Sequence, residues 1–297
     1  GDASFDLTSD LLHVGNLVLR LDPELTGHTE TINIGVRSEG GPDRLGLRID
    51  VENVAAVAHA EIRRLFEEPV WDIDVTVPHY RWPLRDGDES VEIHDLNVSS
   101  TGRLAAWSLD VSGDVDAPGL RRLSVGVTGD GNPDGFKAES LRAEGADLAV
   151  TGAATVVWAA DRMLETSLAI ARLDPRFLLP DWPEAYPIEG AVTASLDEEG
   201  LKISDSRLVV PRVGAELQVQ GDIDQVDRSV LGVMRWTNLR WPLDGDVYDI
   251  KSDYADVRVG GTFDAWSVNG TIELGARDMP EGIFTIDGNG DRDAARI

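Results

Sequence analysis

The sequence predicts an all-β protein without significant helix, built as an elongated, mostly antiparallel and repetitive sheet. Three observations predict it. Apolar and polar residues alternate along most of the chain, short clusters of turn formers interrupt the alternation, and several signatures recur at nearly one spacing.

The alternation comes first. Ile32, Ile34 and Val36 point one way while Thr31, Asn33 and Gly35 point the other. Leu45, Leu47, Ile49 and Val51 repeat the pattern, as do Trp71, Ile73, Val75 and Val77. Further on come Trp107, Leu109 and Val111, then Leu123, Val125 and Val127, then Leu217 and Val219, then Val257 and Val259. A period of two gives each strand one apolar and one polar face.

The breaks are Ser38–Asp43, Asp86–Asp88, Asp130–Gly135, Glu198–Gly200 and Asp287–Asp291. Their Gly, Asp, Asn and Pro content suits hairpins, hence antiparallel pairing. Val54 to Glu68 has a helix-like content of Ala, Glu, Arg and Leu, but the repeat favours a strand there. Nothing alternates helix with strand in the manner of an α/β fold.

The repeat is the strongest signal. Arg81-Trp82-Pro83-Leu84 recurs as Arg240-Trp241-Pro242-Leu243, an offset of 159. At the same offset Gly102 meets Gly261, Ala106 meets Ala265, Trp107 meets Trp266 and Ser108 meets Ser267. Arg20-Leu21-Asp22-Pro23 recurs as Arg172-Leu173-Asp174-Pro175 at an offset of 152, so one seven-residue indel separates the two signatures. The copies cover approximately residues 14–170 and 171–297, with no Pro/Ser-rich linker between them. That organisation predicts one continuous segment over residues 1–297 whose units share a sheet; two independent duplicated β-domains are the alternative. At roughly 12 residues per strand and turn, about 25 strands at ~4.8 Å would extend near 120 Å.

Composition excludes several classes. The 297 residues contain no cysteine, so neither a disulfide framework nor a thiolate metal site is available. The net charge of −27 opposes binding to nucleic acid and to anionic membrane surfaces. No apolar run is long enough for a transmembrane helix, and from the opening Gly1 the chain is expected to be a segment of something longer.

The chemistry-bearing motifs are sparse. Asp130, Asn132 and Asp134 resemble the start of a calcium loop, but loop position 12 is Leu141, and Glu139 comes two residues early. A hairpin turn is the preferred reading and a weak calcium site the alternative. In the Arg-Trp-Pro-Leu sites, Trp82 and Trp241 are expected to cover the end of the core while Pro83 and Pro242 close a strand. The Arg-Leu-Asp-Pro sites read as strand exits into a turn. Carboxylate pairs such as Asp72/Asp74 sit on a polar strand face, and no nucleophile, zinc-hydrolase or phosphate-loop motif occurs. No catalytic residue, cofactor or enzymatic activity is therefore expected.

The stretches Arg172–Val192, Asn238–Leu243 (NLRWPL) and Ala265–Leu274 (AWSVNGTIEL), with their weaker first copies, resemble the TamB family within the AsmA-like group of Gram-negative envelope proteins. The resemblance spans essentially the whole chain and implies a central portion of a periplasmic body. It implies a sheet curled into a taco-like groove, anchored in the inner membrane and meeting an outer-membrane barrel partner through parts outside this segment. It also implies phospholipids as cargo between the two membranes; an alternative family role is outer-membrane protein assembly. Keeping acyl chains from water needs only a continuous apolar strip, since each methylene is worth ~0.8 kcal/mol. The candidate groove residues are Ile32, Ile34, Val36, Leu47, Ile49, Val75, Val77, Trp107, Leu109, Leu123, Val125, Leu217, Val219, Val257 and Val259. Packing of these residues against each other in a closed core is the bland alternative. A calcium-stabilised structural β-array is the competing function from another class.

Overall fold

A computed structural model describes residues 4–6, 14–21, 32–51, 54–83, 90–118, 120–159, 162–177, 179–244, 247–262, 264–277, 279–291 and 295–296. The chain divides into two compact units, Gly1–Ala146 and Asp147–Ile297.

The first unit holds β1 (Ser4–Asp6), β2 (Val14–Leu21), β3 (Ile32–Gly41), β4 (Arg44–Val51), β5 (Ala56–Arg63), β6 (Val70–Pro83), β7 (Ser90–Arg103), β8 (Ala106–Ala117), β9 (Leu120–Asn132) and β10 (Gly135–Gly145). The second holds β11 (Leu148–Val157), β12 (Met163–Leu173), a 3-10 turn (Pro175–Phe177), β13 (Ile188–Asp197), β14 (Gly200–Val210), β15 (Ala215–Asp224), β16 (Ser229–Trp241), β17 (Ile250–Thr262), β18 (Ala265–Ala276), β19 (Met279–Gly290) and β20 (Ala295–Arg296). Within each unit every strand pairs antiparallel with the next in sequence, giving a plain meander. Among the described residues no ladder joins a unit's first strand to its last, so each sheet is open. The all-β, antiparallel class expected from alternation is the class observed, and Ala56–Arg63 is a strand despite its helix-like composition.

The 159-residue spacing reappears in the strand boundaries. β8 begins and ends 159 residues before β18, and β6, β7 and β9 match β16, β17 and β19 to within a residue or two. Backbone detail follows. Gly102 and Gly261 have φ of +138° and +136°, each opposite a Trp, and a Cβ there would lie 2.5 and 2.4 Å from a carbonyl oxygen. Only glycine fits.

One further pair differs in chemistry. Gly214 (φ +66°) corresponds to Ala55 (φ +51°), so an alanine holds the left-handed conformation in the first copy. Ala55→Gly is therefore expected to stabilise the first unit by roughly 0.5–1 kcal/mol, the relieved strain exceeding glycine's entropy. Urea unfolding checks this: a midpoint at or below that of the parent chain would refute it.

The strands are longer than the turn-forming clusters suggested. Among the described residues there are twenty, many of 10 to 14 residues, rather than about 25 short ones. Ser38–Gly41, Asp130–Asn132 and Asp287–Gly290 are strand, and only two-residue turns such as Pro42–Asp43 and Pro133–Asp134 separate the arms. The glycines in these clusters sit opposite bulky partners instead of turning the chain: the Trp107 ring occupies the space a Cβ at Gly131 would need and stacks on Phe136 at 5.4 Å. Asp86–Asp88 lies outside the described residues.

Burial is slight. Among the described residues no large side chain is fully buried. Among the described residues a packed cluster in the second unit joins Tyr186, Val210, Ala215 and Leu243, with Trp182, Ile188, Val213 and Leu239 against it. It forms because the segment after β12 folds back. β12 exits at Leu173, Asp174 accepts a bidentate pair from Arg176, and Trp182 Nε1 donates to the Tyr186 carbonyl at 2.7 Å. Pro83 and Trp241 do end their strands, but Trp82 is 50% exposed and Trp241 40% exposed, so neither covers a core as expected. Trp82 stands beside Tyr80 and Trp241 beside Trp182, at the margin.

Candidate functional site

Cross-strand partners share a face, so the register can be followed from strand to strand. In the first unit one such row runs Val36, Ile49, Ala58, Val75, Val98, Val111, Val127, Leu141. It crosses eight strands without a polar residue. In the second unit the corresponding row runs Gly152, Leu168, Val192, Ser206, Val219, Met234, Val257, Gly270, Ile286. A parallel row there runs Val156, Leu164, Leu196, Leu201, Ile223, Val230, Gly261, Trp266, Gly290.

Each sequence-predicted groove residue stands on such a face. Ile32, Ile34, Val36, Leu47, Ile49, Val75, Val77, Trp107, Leu109, Leu123 and Val125 share the first unit's, and Leu217, Val219, Val257 and Val259 share the second's. For Ile32 only the backbone is described. The register adds residues that counting by twos missed, among them Leu141, Leu201 and Ile203. Bulges between Ala138 and Ser140, and between Ile203 and Ser206, shift the alternation by one residue, so a fixed parity assigns the far side of the bulge wrongly.

These faces are covered only in part: the segment carrying Trp182 and Tyr186 packs over Val210 and Ala215 in the second unit, and Leu123, Ser206 and Val257 are buried. Leu196 is 45% exposed and Met234 38%, and most of their neighbours are only half-buried. A depression of 270 Å³ in the second unit is lined by Leu201, Ile203, Val219, Ile223, Val230 and Met234 among others. Polar atoms are mostly paired off: Trp71 Nε1 donates to Ser100 Oγ at 3.1 Å and Trp236 Nε1 to Ser252 Oγ at 2.8 Å. Ser206 Oγ, buried without a partner, is an exception. A larger depression of 550 Å³ in the first unit is lined largely by Arg37, Arg48, His59, Glu61, Asp72 and Asp74, and belongs to the charged side of the sheet.

The charged side of the sheet in each unit is laced with ion pairs. Arg48 pairs with Asp50, Arg44 and Arg63 with Glu61, Arg207 with Glu216, and Arg235 with Asp256. Hydrogen bonds from Arg207 and Gln218 hold the Glu216 carboxyl down at about 2. A depressed carboxyl stabilises the fold above its unfolded value, and the contribution is lost as pH falls through the folded one. The advantage of the parent chain over Glu216→Gln is thus expected to be full at pH 5 and to shrink towards pH 2. Thermal melts of both proteins across that range check this; a constant gap would disprove it.

Asp72 and Asp74 are exposed on the polar face, as expected. Asn132 Oδ1 accepts from the Asp134 and Gly135 amides, which makes it the cap of a hairpin turn, while Asp130 lies in β9 opposite Lys137. Two groups among the described residues bring three ligating side chains together: His79, Glu92 and His94; and Asp253, Glu273 and Glu281. In the second, Lys251 Nζ approaches Asp253 at 2.5 Å and Glu281 at 3.1 Å, and these bonds push the lysine pKa up.

No curated protein and no solved structure matches the chain. A family model described as TamB, N-terminal domain, matches residues 43–226, more than half of it.

Proposed function

The chain belongs to the TamB family and so has a role in the cell envelope, and on that premise we propose that it is a non-enzymatic segment of a lipid conduit. Its apolar sheet faces shield phospholipid acyl chains passing between inner and outer membranes, in the periplasm of a Gram-negative cell. The full-length protein is anchored in the inner membrane and meets an outer-membrane barrel partner through parts outside this chain. The internal repeat supports treating residues 1–297 as one continuous groove segment.

The observation that carries the reading is the half-exposed apolar face, whose rows of facing residues cross eight strands in the first unit and, with Ser206 the polar member, nine in the second. Eight inter-strand steps at ~4.8 Å make a stripe about 38 Å long within one unit, against ~30 Å for a whole bilayer hydrocarbon core. An acyl chain from one leaflet fits along it. Burying 15 methylenes is worth about 12 kcal/mol relative to water, so a strip that covers the chain on one side still retains a large share. The fifteen groove residues take the role of lining.

The test is native mass spectrometry of the chain purified from a Gram-negative envelope, with a photocrosslinking residue at Val219. Phospholipid adducts in several copies are expected. Absence of any lipid, with no crosslink from Val219, would sink the proposal.

A further inference from the structure

The charged side of the first unit carries a cluster that a lipid conduit does not use. We propose that His79, Glu92, His94 and Asp116 form a binding site for a divalent transition-metal ion of the zinc class, clipping three adjacent strands together.

The placement follows from the register. His79 on β6 lies directly opposite His94 on β7, and Glu92, two residues from His94, lies opposite Asp116 on β8. His79 Nε2 is 3.5 Å and His94 Nε2 3.7 Å from Glu92 Oε2, and His94 Nε2 is 3.1 Å from Asp116 Oδ2. Ligand atoms ~2.1 Å from a tetrahedral ion stand about 3.4 Å apart; the His79, Glu92 and His94 donors all lie within 4.8 Å of one another, and Asp116 reaches the group beside His94. His94 Nε2 is buried and makes no hydrogen bond, because its approach to Asp116 lacks the geometry of one. A metal would supply the missing partner.

The surroundings favour a cation. Arg81 lies 3.9 Å from Glu92 but donates its Nε to Ser90 Oγ at 2.8 Å. Arg122 reaches Asp114 at 3.3 Å and Asp116 at 3.9 Å. Three carboxylates thus face two guanidiniums. The imidazoles decide the class of ion, since calcium and magnesium take oxygen ligands whereas zinc, nickel and copper take imidazole nitrogen.

The second repeat copy offers an internal comparison. At the 159-residue offset Glu92 becomes Lys251, His94 becomes Asp253 and Arg122 becomes Glu281. There the Lys251 ammonium sits between Asp253 and Glu281. A tethered cation occupies the corresponding place in the second copy, and the first copy has nitrogen donors instead.

The experiment is calorimetric titration of the whole chain, stripped with chelator, with zinc chloride, alongside thermal melts. One saturable site and a raised melting temperature are expected. His79→Ala and His94→Ala should each weaken binding at least tenfold with unchanged circular dichroism, while His59→Ala, outside the cluster, should not. Cobalt should give the visible absorption of a tetrahedral site, and calcium no matching heat. Absence of saturable zinc binding, or binding that all three variants keep equally, would overturn the assignment and leave only diffuse attraction to an acidic surface.

Discussion

Val219→Asp is expected to abolish phospholipid capture while the chain still folds. Val219 lies mid-strand in β15 between Ser206 and Met234, in the row that crosses the second unit. Its side chain is only half-buried, so a carboxylate there keeps contact with water when the face is empty. The stability loss should be about 1–2 kcal/mol, the value of a partly buried apolar side chain. A lipid changes the balance. An acyl chain laid over position 219 would desolvate the charge, at several kcal/mol per ion in a protein setting. Gln220→Asp adds the same charge one residue along, on the opposite face, and is expected to leave lipid capture unchanged. Mass spectrometry of copurified lipid with parallel melts reads both effects. Parental lipid content in Val219→Asp, or equal loss in Gln220→Asp, would count against an acyl-bearing face.

Ala215→Asp should do the reverse and unfold the second unit. Ala215 is 1% exposed, enclosed by Tyr186, Val210 and Leu243. An aspartate there must be buried without a partner and also displaces packed atoms, at roughly 3–5 kcal/mol or more. Domain stabilities are typically ~5–15 kcal/mol, so this is a large fraction of the whole. Ala56 occupies the corresponding position in the first copy but is only half-buried, so Ala56→Asp should cost markedly less. Tryptophan fluorescence melts separate the cases. A melting temperature for Ala215→Asp within a few degrees of the parent would show that the cluster around Tyr186 contributes little. The contrast between Val219 and Ala215 is the useful one, because both are small apolar residues of the same strand. They share one face, which the Tyr186 cluster closes over Ala215 and leaves half-open at Val219.

Much of this was legible in the residues, for a local reason. Side-chain alternation is a property of the extended backbone itself, so Ile34, Val36 and Ile49, or Val257 and Val259, declare their shared face without knowledge of any partner strand. The repeat was legible because matched strands need matched residues, such as the glycines at 102 and 261. What alternation misreads is any place where a neighbour sets the conformation. Asp287–Gly290 carries turn formers yet extends as strand, because β18 pairs with it throughout. Leu201 and Ile203 lie beyond a bulge that only the ladder reveals.

The functional features divide in the same way. By itself the sequence determined the all-β class, the antiparallel pairing, the 159-residue repeat and the two-faced strands, since each depends on residue order within short stretches. Only the tertiary structure decided how much of the apolar faces stays open, that Trp82 and Trp241 stand at a margin rather than over a core, and that His79 meets His94. Those are statements about what lies opposite a residue, and opposition between strands is fixed by register and by the sheet as a whole.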